Sequence, residues 1–112
     1  MVNDIDDRPF YSLSLIQALV EANHFSVVND RADRWIENLG WNSDTLKQFI
    51  LALTSGHFLR GYPQCSYGNG TRSIDCDAYK MEFDGAVIFA KFAISKNSRT
   101  LIVSLHLDGS IG

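Results

Sequence analysis

A chain of 112 residues, 46% hydrophobic with two prolines, has the size and composition of one packed domain and lacks the bias of a disordered or fibrous chain. Its apolar stretches, such as Ala86 to Ala90, fall far short of the roughly 20 residues that cross a bilayer. A formal net charge of −3 excludes a general nucleic-acid coat, because nonspecific phosphate affinity comes from clustered Lys and Arg.

The charge is uneven. Residues 1–56 hold eight acids and four bases, and residues 57–112 hold five acids and six bases, so an anionic ligand is expected to meet the second half. The first residues lack the basic-then-apolar pattern of a secretory signal, which points to a cytoplasmic protein. Cys65 and Cys76 are the only cysteines, and in a reducing compartment free thiols are expected. With no CxxC or HExxH spacing, neither a metal nor another cofactor is expected.

In chain order, residues 1–9 are expected to form a mobile acidic tail and residues 10–112 a single domain. Ser12 can cap a first helix, with Tyr11 and Ile16 as its hydrophobic staple and Leu13, Ile16, Leu19 and Val20 as its apolar stripe. This helix is expected to stop near Asn23, before the short β-branched stretch His24 to Val28. Asn29 can cap a second helix carrying Ala32, Trp35, Ile36 and Leu39, stopped by Gly40 in the left-handed region. A third, capped by Asn42 and stapled by Trp41 and Leu46, places Leu46, Phe49, Ile50 and Leu53 at i, i+3, i+4 and i+7. Tyr62 to Thr71, with Pro63, Gly68, Asn69 and Gly70, reads as a flexible surface loop.

From Ser73 the period changes to two. Ile74, Cys76 and Ala78 alternate with Asp75, Asp77 and Tyr79, Asp84-Gly85 reads as a hairpin turn, and Ile88, Ala90, Phe92 and Ile94 alternate with their neighbours. Lys96-Asn97-Ser98 makes a second turn before Leu101 to Leu107, apolar enough for a central strand. The expected fold is α+β, with N-terminal helices packed on a C-terminal antiparallel sheet whose three main strands lie within residues 72–108. Leu53 and Ile102 are expected in its core.

The segments Asp77 to Lys80, Val87 to Phe92 and Ile102 to His106, in this order and after this helical half, resemble the MqsR family of toxins from bacterial toxin–antitoxin pairs. The resemblance covers about 100 residues, roughly 10 to 109. It implies a RelE-like fold, cleavage of single-stranded messenger RNA, and a silencing antitoxin of helix-turn-helix type encoded by an adjacent gene. The family's catalytic residues are a lysine after the third helix, a glutamine and a tyrosine on successive strands, and a lysine on the last strand. At these positions the chain carries Arg60, Cys76, Phe89 and His106.

Metal-independent RNA cleavage needs a base for the 2′-hydroxyl proton, an acid for the leaving 5′-oxygen and cations for the charge on the phosphorane. His106 is the best acid or base available, because an imidazole titrates near neutral pH. Arg60 stays protonated and suits bidentate phosphate binding, and Lys91 adds a cation, completing a catalytic set of Arg60, His106 and Lys91. Lys80, Tyr79, Arg72, Tyr67 and His57 are candidate RNA contacts, the tyrosines by stacking on bases. The function these residues suggest is an endoribonuclease toxin that leaves a 2′,3′-cyclic phosphate. The alternative is a catalytically weak RelE-like module that binds a protein and cuts nothing.

Overall fold

The computed structural model describes residues 8–27, 40–67 and 72–107, with the backbone alone at 65–67, 72–73 and 106–107. The second expected helix and the acidic tail lie outside these residues. Among the described residues, two α-helices, α1 (Leu13–Glu21) and α2 (Ser43–Ala52), accompany five strands: β1 (Phe25–Val27), β2 (Phe58–Tyr67), β3 (Arg72–Phe83), β4 (Ala86–Ile94) and β5 (Leu101–Leu107). None of the described helices is long and apolar enough to cross a membrane.

Both helices begin where their capping residues stand. The Ser12 side chain accepts from the Leu15 N–H and the Asn42 side chain from the Thr45 N–H, each cap contributing about 0.5–2 kcal/mol relative to alanine. Beyond α1, Asn23 enters the left-handed region at φ 62 and turns the chain into β1. The Gln17 side chain donates to the Ile50, Leu51 and Leu53 carbonyls, so α1 satisfies the end of α2 and fixes the angle between them.

The sheet has the order β1-β5-β4-β3-β2. Its three expected strands are β3, β4 and β5, paired antiparallel, and the fold is α+β, compatible with the RelE-like arrangement. Two further strands widen the sheet. β1 lies parallel to β5, which makes it mixed, and β2 replaces the expected loop over Tyr62 to Tyr67. Pro63 is tolerated there because β2 is an edge strand and the ladder is irregular between Tyr62 and Cys65, where Gln64 takes φ 55. Asp84 and Gly85, at φ 56 and 83, form the two-residue turn with both central residues in the left-handed region that suits a hairpin's twist.

Among the described residues, one sheet face is packed under α1 and α2 and the other is left without them. Tyr79, Met81, Ile88, Ala90, Phe92, Leu101, Val103 and Leu105 join Ile16, Val20, Leu46, Phe49, Ile50 and Leu53 in the core. Strand alternation puts Ile102 opposite Ala93, half-buried on the other face. The expectation for Leu53 therefore holds, and that for Ile102 is corrected to its neighbours Leu101 and Val103. Trp41, Phe49 and Phe83 meet edge-on or tilted at 5.5 and 5.6 Å, and the Trp41 indole donates to the Asp84 carboxylate at 3.1 Å, tying α2 to the hairpin turn.

The entry to α1 is held by a buried acid. Asp77 is 0% exposed, and its two oxygens accept from the Phe10 and Tyr11 N–H groups, each at 2.9 Å. The Tyr11 hydroxyl donates to the Asp75 carbonyl at 2.7 Å. Gly61, the Cα partner of Asp77, leaves room for the Phe10 ring, since a Cβ there would stand 2.7 Å from it. Burial raises the Asp77 pKa above the ordinary value, against the pull of the two amide donors and with a smaller push from Asp75.

Candidate functional site

The face free of α1 and α2 carries Arg60, Lys91, Lys80 and position 106 in two cross-strand rows. In the first, Arg60 on β2 pairs with Ala78 on β3, Ala78 with Lys91 on β4, and Lys91 with Ser104 on β5. In the second, Lys80 pairs with Phe89 and Phe89 with His106. The backbone register thus brings all three expected catalytic positions, Arg60, Lys91 and His106, to neighbouring places on the sheet. The His106 side chain lies outside the described residues.

Arg60 owes its place to an irregularity. Phe58 pairs with Tyr79 and Arg60 with Ala78, so two steps along β2 match one step along β3, and Leu59 is the extra residue. Phe58 packs inward on the Tyr79 ring at 5.5 Å. In a regular strand Arg60, two residues on, faces the same way. The bulge turns it to the outer face, a use to which bulges beside functional sites are often put.

The cations rest on aromatic rings. The Arg60 guanidinium is 5.0 Å and the Lys91 ammonium 4.9 Å from the centre of the Tyr62 ring, and the Lys80 ammonium is 5.3 Å from that of Phe89. Contacts of this kind contribute about 0.5–1 kcal/mol each at exposed sites, enough to hold the side chains in place but not against an anion. Between these groups lies a hollow of about 230 Å³, lined by Leu59, Tyr62, Ala78, Phe89, Ala90 and Lys91. It exists because β3 presents small Cys76 and Ala78 between Tyr62 on one neighbouring strand and Lys91 on the other.

Two expected contacts are corrected. Tyr79 is 1% exposed and packed between Phe58 and Phe92, with no ring face for a base; burial, with the nearby Asp77 charge, pushes its pKa up to about 12. His57 closes a short 3-10 turn, Ser55–His57: its Nδ1 accepts from the Thr54 N–H at 3.0 Å while the Thr54 side chain accepts from Gly56. That is a capping role, away from the two rows. Lys80 lies on the outer face, exposed. Tyr67 and Arg72 are Cα partners at the far end of the β2–β3 ladder, and their side chains lie outside the described residues. Cys76 is buried.

Sequence reading missed Tyr62. Gly61 and Pro63 on either side suggest a loop, yet Arg60 and Tyr62 stand two apart, the spacing that puts both on one face of a strand.

No curated protein matches the chain closely enough to count as a relative. A family model described as "Motility quorum-sensing regulator, toxin of MqsA" matches residues 8–107, a span that includes both helices and all five strands. Membership carries with it an antitoxin partner of the MqsA kind. The chain therefore belongs to the MqsR toxin family, the toxins of toxin–antitoxin systems.

Proposed function

We propose that this toxin is an endoribonuclease that cuts single-stranded messenger RNA in the cytoplasm, by 2′-hydroxyl attack and without a metal. Residues 10–112 act as one domain, and a helix-turn-helix antitoxin from an adjacent gene silences it. The observation that carries the reading is the two-row arrangement of Arg60, Lys91, Lys80 and position 106 on the face the described helices leave uncovered.

Arg60 and Lys91 flank Ala78 from opposite strands. A phosphate lying over Ala78 meets a cation on each side, and the charge that builds on its oxygens in the phosphorane is met by both. The Arg60 fork can donate two parallel hydrogen bonds to one phosphate, which a lysine cannot. The imidazole of His106 serves as the proton-transfer group, for neither a guanidinium nor an ordinary lysine gives up its proton readily at neutral pH. Lys80 extends the positive track along the next row and holds the neighbouring phosphate.

The test is induced expression with and without the adjacent gene, following growth and transcript integrity. Growth arrest with cleaved transcripts, relieved by the adjacent gene, is the expected result. Arrest with intact transcripts contradicts the nuclease reading.

A further inference from the structure

The geometry points to a single-nucleotide subsite beside the scissile phosphate: one unpaired base of the RNA enters the hollow and stacks on Tyr62. This inference rests on the proposed RNA substrate and assigns a part of the face that the catalytic set leaves unused.

The hollow is about 230 Å³, smaller than the roughly 300–1,000 Å³ that encloses a drug-sized ligand. It has room for one planar ring system from a longer molecule. Its walls, part apolar and part polar, come from Leu59, Ala78, Ala90, Lys91 and the rings of Tyr62 and Phe89. A slot lined by aromatic rings with cations beside it is the arrangement by which proteins take unstacked bases and the phosphates next to them.

Arg60 and Lys91 both rest on Tyr62. Among the described residues each is held there by the ring's weak field, whereas a phosphate offers full charge and hydrogen bonds. Binding a nucleotide therefore makes two exchanges at once: the cations move from ring to phosphate, and the base takes the ring face they leave. Tyr62 in this way couples base insertion to the delivery of Arg60 and Lys91. The work belongs to the ring and not to the hydroxyl, and the small Ala78 makes the slot.

The experiment measures binding of a defined single-stranded RNA, made uncleavable by 2′-O-methyl groups, to the full chain by fluorescence anisotropy. A set of copies each carries one abasic position. Wild type is compared with Tyr62→Ile, which keeps a strand-forming residue on the edge strand, with Tyr62→Phe, and with Ala78→Leu, which fills the slot from its floor; melting temperatures confirm folding. Tyr62→Ile and Ala78→Leu are expected to weaken binding about 5- to 150-fold, the worth of one stacked base, and Tyr62→Phe to stay within about threefold of wild type. At one position in the RNA, removing the base should weaken wild type by the same factor and leave Tyr62→Ile unaffected. If wild type binds the RNA and Tyr62→Ile binds it equally well, or if Tyr62→Phe is as weak as Tyr62→Ile, the subsite is overturned while the RNA reading stands. If wild type binds no RNA, both are overturned.

Discussion

The Lys91 ammonium lies 4.9 Å from the centre of the Tyr62 ring, although β3 runs between the strands that carry them. The contact spans that strand because Cys76 and Ala78 are too small to fill the gap. It joins an edge strand to the middle of the sheet and gathers Arg60 and Lys91 around one aromatic ring. Three consequences can be measured on the toxin's own chemistry and folding, and a fourth on its core.

Removing Leu59 takes out the extra residue, so that Arg60 follows Phe58 directly, pairs with Ala78 in a regular ladder and still faces outward. The deletion variant is expected to keep most of the RNA cleavage and to melt cooperatively, since Leu59 is 44% exposed and contributes little to the core. A single-residue Leu59→Ala replacement keeps the bulge and should keep most of the activity. Cleavage assays on the two variants, with circular dichroism as the folding control, decide it; a folded but inactive deletion variant would mean that Arg60 does not act from its place opposite Ala78.

Arg60→Lys keeps a cation but loses the planar fork, so it should retain part of the activity, whereas Arg60→Ala should lose most of it. Raising the salt concentration should weaken RNA binding by wild type more steeply than by Arg60→Ala, because the arginine neutralises a phosphate and releases its counterions. Equal salt slopes would place Arg60 off the RNA path.

Asp77 holds the amide groups of Phe10 and Tyr11, and its pKa is raised mainly by burial. A carboxyl whose folded pKa lies above its unfolded value opposes folding once it must ionise, so its contribution is fully present below the usual value of 3.8 and is lost as pH rises through the folded value. Denaturant melts from pH ~4 upward should therefore show wild type losing more stability than Asp77→Asn over that window. At neutral pH Asp77→Ala, which leaves two amides without an acceptor, should cost about 1–3 kcal/mol. A wild type that gained stability relative to Asp77→Asn as pH rose would reverse the assignment.

Leu101 and Ile102 are adjacent on β5 and face opposite ways. Leu101→Ala, with a side chain 0% exposed, should destabilise by about 2–5 kcal/mol. Ile102→Ala, on the half-buried outer face, should cost clearly less. Similar losses at both positions would contradict the division of the sheet into a helix-covered face and an open one.

Much of this was legible in the residues. Helix starts are written locally, and Ser12 and Asn42 announce them by capping chemistry. The β3–β4 hairpin is equally plain, because Asp84-Gly85 interrupts two alternating runs. What local pattern could not carry was long-range pairing. β2 contains Gly61 and Pro63, and it becomes a strand because β3 offers a partner and the edge position forgives a missing N–H. β1 is three residues long and exists by pairing with β5, about 75 residues away. The same limit governed the site. Arg60 was readable by chemistry and Lys91 by strand position, but a bulge decides which way Arg60 faces, and Tyr62 could not be chosen before β2 was known to be a strand. Tyr79 failed as an RNA contact for the converse reason: alternation puts it on one of two faces, and only the packed structure shows that its face is covered by helices.

The most direct test of the central claim is cleavage of a defined single-stranded RNA by the purified toxin, without added metal and in the presence of a chelator, followed across pH. Wild type is predicted to cut and to leave a 2′,3′-cyclic phosphate end. His106→Gln, which can hydrogen-bond but cannot titrate near neutrality, is predicted to cut about 10²–10⁴-fold more slowly, with RNA binding and melting temperature close to wild type. A His106→Gln variant that cleaves at the wild-type rate, or a folded wild type that binds this RNA and leaves it intact, would contradict the account.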